Sequence, residues 1–277
     1  MNPNHTINHN GELIDLSQPK VMGIINVTPD SFFLGSREQT HKGILKTGER
    51  MLSEGATFLD IGGYSSSPGA DHISIEEELE RVLKPIRLLK TEFPKAIISI
   101  DTFRSEVAAK AVEAGAGIVN DIAGGHLDKE MLPTIAKLKV PYIAMHMRGT
   151  PQTMKTRTDY EDILTEVSKY FSKILRHCND LGIKDVIIDP GFGFAKKTMQ
   201  SFHLLKNLEY LQWLDRPVLV GLSRKSMIYQ TLDLTPEEAL NGTTVLNTLA
   251  LFKGAGILRV HDVRKAVQTI KLLEQLK

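Results

Sequence analysis

The stretch FLDIGGYSSSPGA, residues 58–70, begins as an apolar run and ends as a loop of hydroxyls. Phe58, Leu59 and Ile61 surround a single carboxylate, Asp60, and two glycines, three serines and a proline follow. A strand covered on both faces has no solvent side to make polar, so it reads as a nearly continuous apolar run. Seven other segments repeat the pattern: VMGIIN (21–26), AIISID (96–101), GIVNDI (117–122), PYIAMH (141–146), DVIIDP (185–190), PVLVGLS (217–223) and ILRVHD (257–262). Amphipathic segments with helical spacing separate them.

Eight such βα units fit an α/β fold of the (β/α)8 TIM-barrel type as a single domain over residues 1–277, with residues 1–20 as an N-terminal extension or hairpin. An open doubly wound sheet is the alternative, and the count of eight favours the barrel. Ser74 and Glu77 read as a capping box opening a helix that presents Ile75, Leu79, Val82, Leu83 and Ile86, with a kink expected at Pro85. Thr235, Pro236 and Glu238 read as the start of another helix. Gly55, Gly115 and Gly182 stand where helices should stop. Leu246, Leu249 and Phe252 read as buried barrel packing.

Composition narrows the function. Hydrophobic residues make up 42% of the chain and charged residues 24%, with a formal net charge of +1. Such a balance gives no reason to expect a nucleic acid or an anionic membrane as partner. Cys178 is the only cysteine. It forbids an internal disulfide, suits a reducing compartment, and reads as an inert thiol with no partner for nucleophilic chemistry. No apolar run is long enough to span a membrane, and MNPNHTINHNG lacks the apolar core of a signal peptide, so a cytoplasmic location is expected.

The strand ends differ sharply from the strand starts. The ends carry Asn26, Asp60, Asp101, Asn120 with Asp121, His146, Asp189, Ser223-Arg224-Lys225, and Arg259 with His261. The starts follow plain turns such as 113–117 and 253–256. In a barrel the C-terminal strand ends carry the chemistry. Arg259 and His261 are two apart, so they leave one face of a strand; they suit an anion, or one of them is a structural ion-paired residue. Asp101, Asn120 and Asp189 suit a flat heterocycle rich in N–H donors, though each alone also fits a helix cap. Lys225 is within reach of a carbonyl or ring nitrogen from the rim. In DPGFGFAKK (189–197), Phe192 reads as a plug for the barrel and Phe194 as a contact for a second flat substrate. His146 reads as a satisfied polar residue, and no zinc site is proposed.

Taken together, MGIINVTPDSF (22–32), the Gly-Gly…Ser-Pro-Gly loop (62–69), SIDTFR (99–104), NDI (120–122), HM-x-G (146–149), DPGFGF (189–194), GLSRKS (221–226) and RVHDV (259–263) resemble the dihydropteroate synthase family. The resemblance implies condensation of 6-hydroxymethyl-7,8-dihydropterin pyrophosphate with p-aminobenzoate in folate biosynthesis, a transferase reaction that sulfonamides target. It assigns the pterin to Asp101, Asn120, Asp189 and Lys225. It assigns the pyrophosphate to Asn26, Ser66, Arg259 and His261, and the aminobenzoate to Phe194, Ser226, Pro68 and Phe32. Lys225, Arg259 and His261 carry the catalysis in that reading, Arg259 and His261 as fixed cations. Mg2+ is expected at Asn26 together with phosphate oxygens. A homodimer through helices near the C-terminal half is implied, with Leu246, Leu249 and Phe252 as candidate contacts beside their preferred reading as barrel packing, while the small-molecule substrates leave no role for nucleic acid or membrane.

Two loops depart from the family pattern. Ser67 stands where the family has an arginine, and Leu34 where it has an aspartate. We expect these losses to be coupled, with Phe33 and Leu34 packing on the serine loop, Arg37 replacing the cation, and weaker sulfonamide binding. Restoring arginine at 67 alone should then raise activity less than restoring both residues. Two alternatives keep the barrel: a non-catalytic pterin-binding paralogue and a pterin-dependent methyltransferase. The aminobenzoate-side loop and the pair Arg259 and His261 disfavour the methyltransferase.

Overall fold

The computed structural model describes residues 5–27, 37–65 and 72–276. A hairpin of β1 (Thr6–His9) and β2 (Glu12–Asp15) precedes eight parallel strands. These are β3 (Lys20–Asn26), β4 (Phe58–Gly62), β5 (Ile97–Asp101), β6 (Ile118–Asp121), β7 (Tyr142–Met145), β8 (Val186–Asp189), β9 (Leu219–Val220) and β10 (Ile257–Val260). Hydrogen-bonded neighbours run β8-β7-β6-β5-β4-β3-β10-β9. A parallel bridge between Ile188 and Val218 joins the two ends, so the sheet closes into a barrel. The helices are α1 (Arg37–Ser53), α2 (Ile75–Glu92), α3 (Ser105–Glu113), α4 (Met131–Leu138), α5 (Ile163–Asp180), α6 (Thr198–Lys206), α7 (Ser226–Tyr229), α8 (Leu240–Phe252) and α9 (Val263–Glu274).

Packing divides the apolar residues in two. Outward-facing strand residues such as Ile25, Leu59, Ile98, Val119 and Ile188 meet the helices in one continuous core. A second cluster gathers one residue from each strand: Met22, Phe58, Ile97, Ile118, Ile143, Ile187, Leu219 and Ile257. This is the lowest inward layer of the barrel. Ile7 and Leu16 of the N-terminal hairpin pack into it, and Asn8 N donates to Asp185 Oδ1 at 3.0 Å. The hairpin therefore plugs the bottom of the barrel. Removing two large apolar side chains from water at an otherwise open end stabilises the fold by about 3–6 kcal/mol.

Some local expectations meet competition. Ser74 caps α2 by accepting from Glu77 N at 3.2 Å, but the Glu77 carboxylate pairs with Arg81 one turn on, so the box is half made. Helix α2 continues through Pro85. Gly55, Gly115 and Gly182 all take left-handed conformations just past helix ends, as expected. The helix expected from Thr235 starts instead at Leu240. Glu238 Oε2 does make the expected cap contact with Thr235 N and Oγ1, but Arg224 Nη1 takes the Pro236 and Glu237 carbonyls, and the segment before Leu240 stays in turns. The expected burial of Leu249 and Phe252 is also corrected: they are 38% and 66% exposed, because α8 turns that side away from the barrel.

Candidate active site

Side chains alternate across a strand, so each residue two beyond the bottom apolar layer points inward again. From β3 to β10 that second layer reads Ile24, Asp60, Ser99, Asn120, Met145, Asp189, Gly221 and Arg259. The third reads Asn26, Gly62, Asp101, Ile122, Met147, Gly191, Ser223 and His261. An apolar floor thus gives way within two layers to three carboxylates, two amides, a guanidinium and an imidazole. No other parity collects them.

The charged groups touch. Arg259 Nε donates to Asp60 Oδ2 and its Nη2 donates to Asp101 Oδ2, both at 2.6 Å. Asn120 Nδ2 donates to the same Asp60 oxygen at 2.9 Å. Asp60 is fully buried, and it fixes both the aim of Arg259 and the orientation of the Asn120 amide, which is left with its oxygen to offer a ligand. Burial pushes Asp101 above the ordinary carboxylate range while Arg259 pulls it back. Burial likewise raises Asp189, opposed by Lys225 and by Gly191 N, which donates to Asp189 Oδ1 at 2.7 Å. Burial works against the Arg259 charge, but Asp60 and Asp101 outweigh it and hold the guanidinium protonated. Its Nη1 bonds to no described residue and remains available to an anion.

Lys225 enters from the loop after β9. Its Nζ donates to the Phe192 carbonyl and lies 4.7 Å from the centroid of the Phe194 ring. Burial lowers its pKa to about 8, with Asp189 opposing and Arg259 assisting. The preceding Arg224 turns away to pair with Asp262. Ser226 begins α7 beside Lys225. Asn26 ends β3 with its Oδ1 3.7 Å from the point where a Cβ on Gly62 would stand, the same distance as Asp101 Oδ2.

Desolvation, then the charge of Arg259, lower the pKa of His261, which favours its neutral imidazole form. Ser223 Oγ accepts from His261 N at 3.2 Å and lies 3.0 Å from Nδ1. When that hydroxyl donates to Nδ1, the ring N–H lies at Nε2.

Phe192 is fully buried in the core between strands and helices, so it does not plug the barrel as its sequence reading expects, because it has the outward parity between Gly191 and Gly193; Phe194 is half-buried at the mouth. Phe194 joins an apolar wall of Tyr64, Phe103, Ile122, Met145 and Met147. His146 is buried and bonded, as its reading as a satisfied polar group requires. Phe32, Phe33, Leu34, Ser66, Ser67 and Pro68 lie outside the described residues, as does the side chain of Arg37. Asp60 is among the polar strand ends read from sequence but has no role assigned there, and Ile122 and Met145 are absent from that reading. Their signal is parity: each is two or four residues beyond the apolar floor of its own strand.

A family model described as "Pterin binding enzyme" matches residues 22–261. The dihydropteroate synthase of Escherichia coli (strain K12) is 40% identical over 266 residues, covering 95% of this chain and 94% of that protein. The dihydropteroate synthase of Synechocystis is 43% identical over 259 residues, covering 92% and 89%. Among solved structures, Xanthomonas albilineans dihydropteroate synthase with 4-aminobenzoic acid superposes with a TM-score of 0.92 at 38% identity, covering 99% of this chain and 98% of that one. The same enzyme in complex with 7,8-dihydropteroate gives 0.88 at 36% identity, covering 98% of each. Motifs, barrel parity and likeness along nearly the whole length agree, and the chain belongs to the pterin-binding enzyme family, on the side of its dihydropteroate synthases.

Proposed function

We infer that this barrel is a dihydropteroate synthase that joins 6-hydroxymethyl-7,8-dihydropterin pyrophosphate to p-aminobenzoate, giving dihydropteroate and pyrophosphate for folate biosynthesis. The observation that carries the reading is the ring of inward acids and amide, closed by Arg259 with one nitrogen unengaged. Asp101, Asn120 and Asp189 accept from the amino-pyrimidine edge of the pterin, and Lys225 donates to its acceptor side. Arg259 Nη1, His261 Nε2 and Ser66 hold the pyrophosphate. Phe194, Ser226, Pro68 and Phe32 hold the aminobenzoate.

Charge dictates the chemistry. The bond between the methylene carbon and the diphosphate oxygen breaks with its electron pair going to oxygen. The amine lone pair forms the new C–N bond, and the amine proton leaves to water. Positive charge grows on the pterin over the buried acids, while negative charge grows opposite Arg259. Positioning two substrates in one water-poor mouth supplies much of the remaining rate.

The donor set fits magnesium only as a lightly held ion. Asn26 offers one amide oxygen, and no group of three His, Cys, Asp or Glu among the described residues is placed to hold a metal. Magnesium accepts such a site when phosphate and water supply its other oxygens. When bound it neutralises charge on the diphosphate.

Two copies pair through α8 and α9, whose outer faces expose Phe252, Leu249, Leu272 and the nearby Leu276. A patch of that kind on a chain with no membrane-spanning helix among its described residues suits a second protein surface in the cytoplasm. The test of the reaction is pyrophosphate release dependent on both substrates. Tight pterin binding with no release would replace this reading with the non-catalytic one.

A further inference from the structure

Lys196 is an acid–base-competent side chain, only 7% exposed, that the reaction above does not use. Its Nζ lies 2.8 Å from His146 Nδ1, 3.0 Å from the Gly191 and Phe194 carbonyl oxygens, and 3.3 Å from the His146 carbonyl oxygen. An amine so enclosed has every proton directed at a fixed acceptor. The acceptors come from two elements: His146 follows β7, and Gly191 and Phe194 belong to the loop after β8. That loop is unusual in its backbone. Gly191, Gly193 and the non-glycine Ala195 all have positive φ, and a Cβ on Gly191 would collide with the His146 carbonyl oxygen. A chain in this conformation needs an outside restraint, since Ala195 gains nothing locally from φ +48. The tyrosine Tyr160 supplies a second restraint by donating to the Ala195 carbonyl at 2.8 Å.

What the loop displays is functional in the reading above, on which this inference rests. The Phe192 carbonyl takes the Lys225 ammonium, and the Phe194 ring lies beneath it. We propose that Lys196 is a positioning residue: by tying the Gly191 and Phe194 carbonyls to His146, it sets the Phe194 ring at the aminobenzoate side of the site. The neutral state of His146, whose pKa burial and then the Lys196 charge drive down, agrees with Nδ1 acting as acceptor. The His146 ring is itself held edge-on by Tyr170, with centroids 4.7 Å apart. The tie therefore has a rigid anchor on the barrel and a strained loop on the other side.

Lys196→Met keeps an unbranched side chain one atom shorter and removes its donors. Two measurements read the result. Amide hydrogen exchange of residues 191–196 in the substrate-free protein should speed up by about tenfold or more, since the substitution removes the donor that holds the Gly191 and Phe194 carbonyls. Initial rates should show the KM for p-aminobenzoate rising by roughly tenfold while the KM for the pterin pyrophosphate changes by less than about twofold, and in a Phe194→Ala background the same substitution should add little. Lys196→Arg, which keeps the donors, should recover part of the ratio. Unchanged exchange, an equal rise in both KM values, or full additivity with Phe194→Ala would each overturn the proposal. If Lys196→Met does not fold, Lys196→Gln, which keeps an amide donor pair, is read by the same exchange and KM ratio. A wild-type protein without turnover would sink the reaction, not the tie, which the exchange measurement still decides.

Discussion

Asp60 is the residue on which the site turns. Its one oxygen takes both Arg259 Nε and Asn120 Nδ2 inside a fully buried environment. Asp60→Asn keeps the shape, removes the charge, and sets an amide against the Asn120 amide. We expect kcat/KM for the pterin pyrophosphate to fall by roughly 30- to 1,000-fold, about 2–4 kcal/mol, because a buried charged partner is lost. A change under about threefold in steady-state rates would contradict the hub role. Lys225 gives a pH test. Its pKa is depressed to about 8, so the ammonium predominates below that pH and is lost as pH rises through it. A working ammonium then gives kcat/KM an alkaline limb near 8, and Lys225→Arg should move that limb upward. A limb that ignores this substitution belongs to another group.

At the scale of elements, the hairpin and the strand ends act at opposite ends of the barrel. Leu16 sits on the floor formed by Met22, Phe58 and Ile257. Leu16→Ala should destabilise by about 2–5 kcal/mol in chemical denaturation and leave kcat/KM within about twofold, since the cavity opens two layers below the acids. Loss of activity without loss of stability would mean the hairpin reaches the site. Much of this scale was legible beforehand. The eight runs, and the glycines that stop α1, α3 and α5, stand where their sequence places them. The start of α8 was not legible, because Arg224, distant in sequence, takes the Pro236 carbonyl that local spacing assigns to a helix. Side-chain competition from another element overrides local propensity there.

At the scale of the whole molecule, the proposed pairing through α8 and α9 is tested at Phe252. Phe252→Asp should turn a dimer into a monomer in sedimentation, with the barrel still folded, because Phe252 is 66% exposed in the single chain. A dimer that survives the change would place the interface elsewhere. By itself the sequence determined the barrel and the candidates at its mouth, since period-two alternation and strand-end polarity are properties of neighbours along the chain. Tertiary structure alone decided which of those groups meet. Asp60 became the partner of Arg259 across 199 positions, and Lys196 found His146 across 50. The cause is geometric: closing the sheet converts eight separate alternations into shared layers, and the charge state of each group in a layer depends on burial and neighbours that no local stretch contains.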